Sequence, residues 1–190
     1  MASQSSQLVV EKKKLDQAPL ELHYLGDRVL RQPCKRVTKI DNDIRQFARE
    51  MLQTMYTEDG IGLAAPQVGI NKQMLVVDDD PENAANLPRI LINPVIKKYS
   101  TELCVAQEGC LSIPKVFLDV TRPMVIEVAY KDENGRPQKL VADGLLSRVI
   151  QHEMDHLNGI MFVDRVENAI AMNQSLVKNG FSVDSVQSIQ

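Results

Sequence analysis

The run Gln151-His152-Glu153-Met154-Asp155-His156 constrains this chain more than any other stretch of its sequence. Wound as a helix, it puts His152 and His156 on one face, one turn apart, where both imidazoles reach a single metal ion. Glu153 stands beside that face, placed to exchange protons with a water on the ion rather than to bind the ion. With 3 histidines in the whole chain, chance would place His-Glu-x-x-His in only about 0.3% of shuffled sequences, so the spacing favours chemistry over a helix with two satisfied histidines. The flanks agree. Gly144 opens the helix and Gly159 stops it; Leu145, Val149, His152 and His156 form one line, and Leu146, Ile150, Glu153 and Leu157 the next. Apolar residues on both lines predict burial on more than one side.

A catalytic site of this kind takes three protein ligands and keeps one position open. The peptidase continuation His-x-x-Gly-x-x-His begins at His156-Leu157-Asn158-Gly159 and fails at Phe162, and the remaining histidine, His23, lies far back in the chain. A carboxylate ligand would be Asp164 or Glu167, the first following the helix end too soon to fold back comfortably. Cys110 is the strongest candidate. It sits in Glu108-Gly109-Cys110-Leu111-Ser112, where Gly109 would let the backbone approach an ion closely. The odd count of three cysteines suggests a reducing compartment rather than a disulfide framework, and a reduced thiol can ligate. Cys34 and Cys104 are read as small buried hydrophobes.

A net charge of −3 argues against a general nucleic-acid binder. No apolar run reaches membrane-spanning length, and no charged n-region followed by an apolar stretch suggests secretion. Residues 1–19, polar and carrying Lys12-Lys13-Lys14, are expected to form a mobile arm; Glu11 and Asp16 there weaken a transit-peptide reading. Residues 20–180 read as one catalytic domain and 181–190 as a mobile tail.

Ile44, Phe47, Ala48, Met51, Leu52 and Met55 recur at helical spacing behind Asp41, a plausible N-cap. Short runs rich in Val and Ile follow at 74–77, 89–92, 95–99, 116–120 and 124–130. Asp132-Glu133-Asn134-Gly135 reads as a hairpin turn, the acidic stretch 78–88 as an exposed loop. A last helix over 166–178 should turn Val166, Ile170 and Val177 inward. Strands in the middle with helices mostly at the ends predict an α+β fold: short antiparallel or mixed sheets around the central helix, with an N-terminal and a C-terminal helix.

Three blocks stand in order: Gly60-Ile61-Gly62-Leu63-Ala64-Ala65-Pro66-Gln67, Glu108-Gly109-Cys110-Leu111-Ser112 and Gln151-His152-Glu153-Met154-Asp155-His156-Leu157. Together they resemble the peptide deformylase family, over about residues 22–166. The resemblance implies a metallohydrolase that removes the N-formyl group from the N-terminal methionine of new polypeptides, giving formate and a free amino terminus. It implies Cys110, His152 and His156 as metal ligands, Glu153 as general acid/base, and Gln67 with the backbone N–H of Leu111 as the oxyanion site. The implied metal is Fe(2+), with Zn, Ni or Co as substitutes, although donor chemistry alone favours zinc. Gly60, Ile61 and Gly62 would form a strand edge for the substrate peptide, with Glu108 and Gly109 beside it. Leu145 and Val149 would line a methionine pocket, or pack the core.

Arg148 is left open between substrate and solvent. Asp155 sits on a buried helix between two ligands and needs a partner, for which Arg122 is the candidate. The expected partners are N-formylmethionyl nascent peptides and, transiently, the ribosome, though 167–190 has only Lys178 as a basic residue. Neither direct nucleic-acid binding nor a membrane is expected. The expected location is the bacterial cytoplasm, with an organelle stroma or matrix as the alternative. Two other readings differ in kind. A metallopeptidase on the same helix needs a His or Glu third ligand, and a structural metal site needs a fourth protein donor.

Overall fold

In the computed structural model, which describes residues 10–189, Asp41 caps helix α1 (Asn42–Thr57) by accepting the N–H of Ile44 at 3.2 Å. The helical stripe faces inward as its spacing predicts, with Ile44, Ala48, Met51, Leu52 and Met55 buried and Phe47 at the edge. Seven strands follow: β1 (Gly62–Ala64), β2 (Met74–Val77), β3 (Arg89–Tyr99), β4 (Leu103–Cys110), β5 (Ile113–Pro123), β6 (Val125–Lys131) and β7 (Pro137–Asp143). Helices α2 (Gly144–Leu157) and α3 (Ala169–Lys178) close the chain. This is the α+β arrangement expected.

Five strands form one antiparallel sheet in the order β1-β2-β3-β6-β7, while β4 and β5, among the described residues, pair only with each other. The large sheet lies between α1 and α2. Alternate side chains of β2 point to opposite faces, so Met74 and Val76 join the α1 cluster while Leu75 and Val77 join Val149, Ile150 and Leu157 of α2. That two-sided burial makes β2 read as an unbroken apolar run. A third cluster seats β5 residues Val116, Leu118 and Val120 against Met172 and Leu176 of α3.

Several local expectations change. The runs 89–92 and 95–99 are one strand, interrupted by a bulge where Asn93 adopts φ 52 and its amide bonds Val37 N–H and C=O, each at 2.8 Å. The 132–135 turn forms as predicted, with Gly135 at φ 79 and Asp132 Oδ1 accepting from Asn134 and Arg136 N–H. The last helix starts later than expected because Asn168 caps it at Ala171 N–H. Met172 and Leu176 then face inward, leaving Ile170 and Val177 73% and 66% exposed. Cys34 is buried as read, but Cys104 is exposed.

The arm and tail also make contacts that composition did not suggest. Residues 1–9 lie outside the described region. From Val10, which packs on the α1 cluster, residues 10–19 run beside α1, with Gln53 Nε2 donating to Lys13 O at 2.7 Å. Lys12 Nζ reaches Asp78 Oδ2 at 2.6 Å, so the acidic loop begins with a buried carboxylate. Phe181, Val183 and Val186 pack against the third cluster, and Gln187 N–H donates to Asp164 Oδ1 at 2.8 Å. No helix among the described residues is long and apolar enough to cross a membrane.

Candidate active site

Helix α2 presents His152 and His156 with ring centroids 5.0 Å apart, and β4 ends by delivering Cys110 to them. Cys110 Sγ lies 3.3 Å from His156 Nε2, and the donor atoms of all three residues fall within 4.8 Å of one another. Metal bonds of about 2.0 to 2.3 Å at tetrahedral angles hold a nitrogen and a sulfur ligand roughly 3.5 Å apart. The spacing therefore fits one ion, and a thiol with two imidazoles is a donor set for a transition metal. Burial pushes His156 well below the ordinary imidazole range, which keeps the ring neutral and its lone pair available.

The rival ligands are otherwise engaged. Asp164 is buried and bonds Arg31 and the N–H of Met161 and Gln187. Glu167 accepts from Thr121 Oγ1 at 3.1 Å, and His23 Nδ1 meets Asp27 at 3.0 Å.

Glu153 is buried beside the triad, and its Oε2 has no hydrogen-bond partner among the described residues. Burial pushes its carboxyl up to about 7, into the range where a proton is taken and returned near neutrality. Gln67 sits in a short 3-10 turn, Ala65–Val68, directly after β1. Its Oε1 accepts from Ala64 N–H at 2.8 Å while Nε2 donates to Ser112 Oγ at 3.1 Å and Cys110 Sγ at 3.5 Å. The amide is thus pinned with its donor side toward the thiol.

A cleft of about 140 Å³ opens over this group. Ile61, Gly62, Glu108, Gly109, Leu111, Leu145 and Val149 border it with Gln67, Cys110, His152 and Glu153. Val149 is buried, whereas Leu145 stands at the mouth, 52% exposed. Gly60 is not part of this wall. Its N–H bonds Met55 O at 2.8 Å, and it backs onto Leu111 from a neighbouring groove. Gly109 has its open face covered by the Phe117 ring, which a Cβ would meet at 2.5 Å.

Glu108, expected beside substrate, has both oxygens engaged by protein. Arg122 grips it with two N–H donors at 2.6 and 2.9 Å, Arg148 adds a third at 2.7 Å, and His152 Nδ1 lies 2.9 Å from Oε2. Burial alone would raise this carboxyl; Arg122 and His152 outweigh it and hold Glu108 well below the usual carboxylate range. An ionised carboxylate facing Nδ1 orients the His152 ring and turns Nε2 toward the side of Cys110 and His156, where it could ligate an ion. Arg122 also donates to Asp155 at 2.8 Å, as its sequence placement suggested, and Arg165 adds two further bonds to Asp155. Arg148 is buried rather than facing solvent. Gln107, Arg148 and Ser112 belong to the site without having been assigned to it, and only the position of Arg148 one turn before His152 hinted at this.

A thiol and two imidazoles converging beside a buried carboxylate, in a cleft flanked by a sheet edge, define the class: a metal-dependent hydrolase. The family profile of polypeptide deformylase matches residues 19–171. Peptide deformylase 1 of Nostoc sp. is 67% identical over 97% of this chain and 98% of its own. The crystal structure of a peptide deformylase from Synechococcus elongatus in complex with actinonin is 64% identical, with TM-score 0.93 over 95% of this chain and 98% of that one. The peptide deformylase of Thermotoga maritima, 41% identical, superposes with TM-score 0.74 over 78% of this chain and 97% of its own. The chain belongs to the polypeptide deformylase family, hydrolases that release the N-formyl group from nascent polypeptides.

Proposed function

We propose that Cys110, His152 and His156 hold one divalent ion, ferrous iron in the cell, and that Glu153 is the general acid/base of deformylation. The observation that carries this reading is the convergence of Cys110 Sγ with both imidazoles beside a buried carboxylate with an oxygen that has no partner among the described residues. When bound, the ion supplies Lewis acidity, bringing the pKa of a coordinated water toward neutrality. Glu153 takes the proton from the attacking water and returns it to the amine that leaves, a contribution of about 10² to 10⁴ in rate. Gln67 Nε2 and the Leu111 N–H donate to the oxygen of the formyl group as charge develops on it, each worth roughly 3 kcal/mol in comparable sites. The iron assignment follows the family, since the donor set by itself suits zinc as well.

Among the described residues, strand β1 is the edge of its sheet, with β2 as its one partner. An extended peptide can therefore pair along Ile61 and Gly62, bringing its formylated end to the ion. Leu145 and Val149 form one wall of the cleft, for the methionine side chain. Gly60 supports this wall through Leu111 rather than touching the peptide. We infer that the reaction takes place in the bacterial cytoplasm, a reading the cyanobacterial relatives support, and in transient contact with the ribosome, where formylated chains emerge.

The test is formate release from a formyl-Met peptide by wild type and Cys110→Ser, with bound metal measured in both. Loss of activity together with loss of metal is expected from the serine variant. Full activity with metal retained would mean that a residue other than Cys110 supplies the third ligand and would sink that assignment.

A further inference from the structure

Cys110 and the two histidines come from units that share no strand pairing among the described residues, for β4 and β5 make a two-stranded sheet of their own and α2 packs on the other sheet. A metal site must nevertheless hold its donors to within about half an ångström of working geometry. Something has to register the hairpin on the helix.

Among the side chains that span the two units, Arg148, one turn before His152 on α2, reaches both strands of the hairpin. Its Nη1 donates to Val120 O at 2.9 Å and Glu108 Oε1 at 2.7 Å, and its Nη2 to Cys104 O at 2.7 Å. One planar guanidinium thereby holds a carbonyl from each strand of the hairpin, together with the carboxylate that fixes His152 Nδ1. Arg122 ties the same two units in the opposite sense, from β5 to Asp155 on α2. Lysine could not replace Arg148 in this geometry, because a single ammonium nitrogen cannot reproduce the fixed fork of donors.

We propose that Arg148 is a positioning residue that sets the Cys110 hairpin at its working distance from His152 and His156. This rests on the ligand assignment above. It predicts an effect on metal affinity in the folded protein, which a merely structural arginine would not have.

The test uses cobalt(II) as the probe on the full-length chain, reading affinity by chelator competition and the absorption band of the thiolate–cobalt bond. Arg148→Lys is expected to bind cobalt about 10- to 100-fold more weakly, the usual effect of losing an outer-sphere partner, and to shift the band. Arg148→Gln, which keeps an amide donor, is measured in parallel. A folded variant of either kind with wild-type affinity and spectrum overturns the proposal. If neither variant folds, with or without cobalt, Arg148 is a folding residue only and the proposal is equally overturned. Absence of the band in wild type, or its persistence in Cys110→Ser, would instead defeat the ligand assignment. A band lost in Cys110→Ser but unchanged in Arg148→Lys defeats only the role of Arg148.

Discussion

Gly62 and Glu153 face each other so closely that a Cβ on Gly62 would lie 2.5 Å from Glu153 Oε1 and 2.7 Å from Val149 Cγ1. The strand edge and the Glu153 carboxylate are therefore in direct register, and hydrogen is the only side chain the strand can carry there without moving that carboxylate. Gly62→Ala should lower kcat/KM for formyl-Met peptides by about 100-fold, the scale of an ångström-sized displacement of a reacting group. Metal content should be unchanged. Activity within tenfold of wild type would mean that the carboxylate shifts without consequence.

Glu153→Gln should lower formate release by about 10² to 10⁴ with metal retained. The same substitution has an opposite effect on the metal-free fold. Because burial raises the Glu153 carboxyl from 4.5 to about 7, its contribution to stability is fully present below about pH 4.5 and is lost as pH rises through about 7. Chelated Glu153→Gln should therefore gain on wild type between pH 5 and pH 8, by up to about 3 kcal/mol. Denaturant melts at the two pH values check this, and a constant difference would contradict it.

Lys12 pairs with Asp78, whose side chain is wholly buried. Burial alone would raise that carboxyl, but Lys12, Tyr56, the Asp80 N–H and Asn86 together hold it below its ordinary value. Lys12→Met should destabilise the protein by about 2 kcal/mol at pH 7, since it leaves a buried charge without its cation. A depressed carboxyl contributes stability above its ordinary pKa and loses it as pH falls below, so the gap between variant and wild type should narrow below about pH 4. Thermal melts across that range decide it; a gap that widens in acid would rule the pairing out as the cause.

Iron-loaded protein held in air should lose activity over time, while the nickel- or zinc-loaded protein keeps it, because dioxygen oxidises ferrous iron but not nickel(II) or zinc(II) held by the same donors. Parallel decay of all three forms would point to a process other than metal oxidation.

The elements that the sequence showed plainly are those whose signal is periodic. Asp41 and the stripe from Ile44 to Met55 define α1 by local spacing, and Asn134-Gly135 defines its hairpin by turn chemistry. Strand β4 carried no such mark, because its side chains from Leu103 to Gln107 are mostly exposed and, among the described residues, it pairs only with β5. The inward face of α3 is not marked by periodicity for a related reason: Ile170 and Val177 are apolar, but the cap at Asn168 and the third cluster select Met172 and Leu176. Lys12 and Phe181, in segments polar enough to read as loose, are fastened by partners far away in the chain.

Two imidazoles and a carboxylate on one helix follow from the sequence alone, because i, i+1 and i+4 along a helix fix directions within a single turn. Cys110 could be reached by elimination and by resemblance, but not its distance from His156. That distance, the orienting contact of Glu108 with His152, and the burial that lifts Glu153 all depend on how a two-stranded hairpin seats on a helix it never pairs with. Such seating arises from contacts between residues tens of positions apart, such as Arg148 with Cys104 and Val120, and only the tertiary structure decides them.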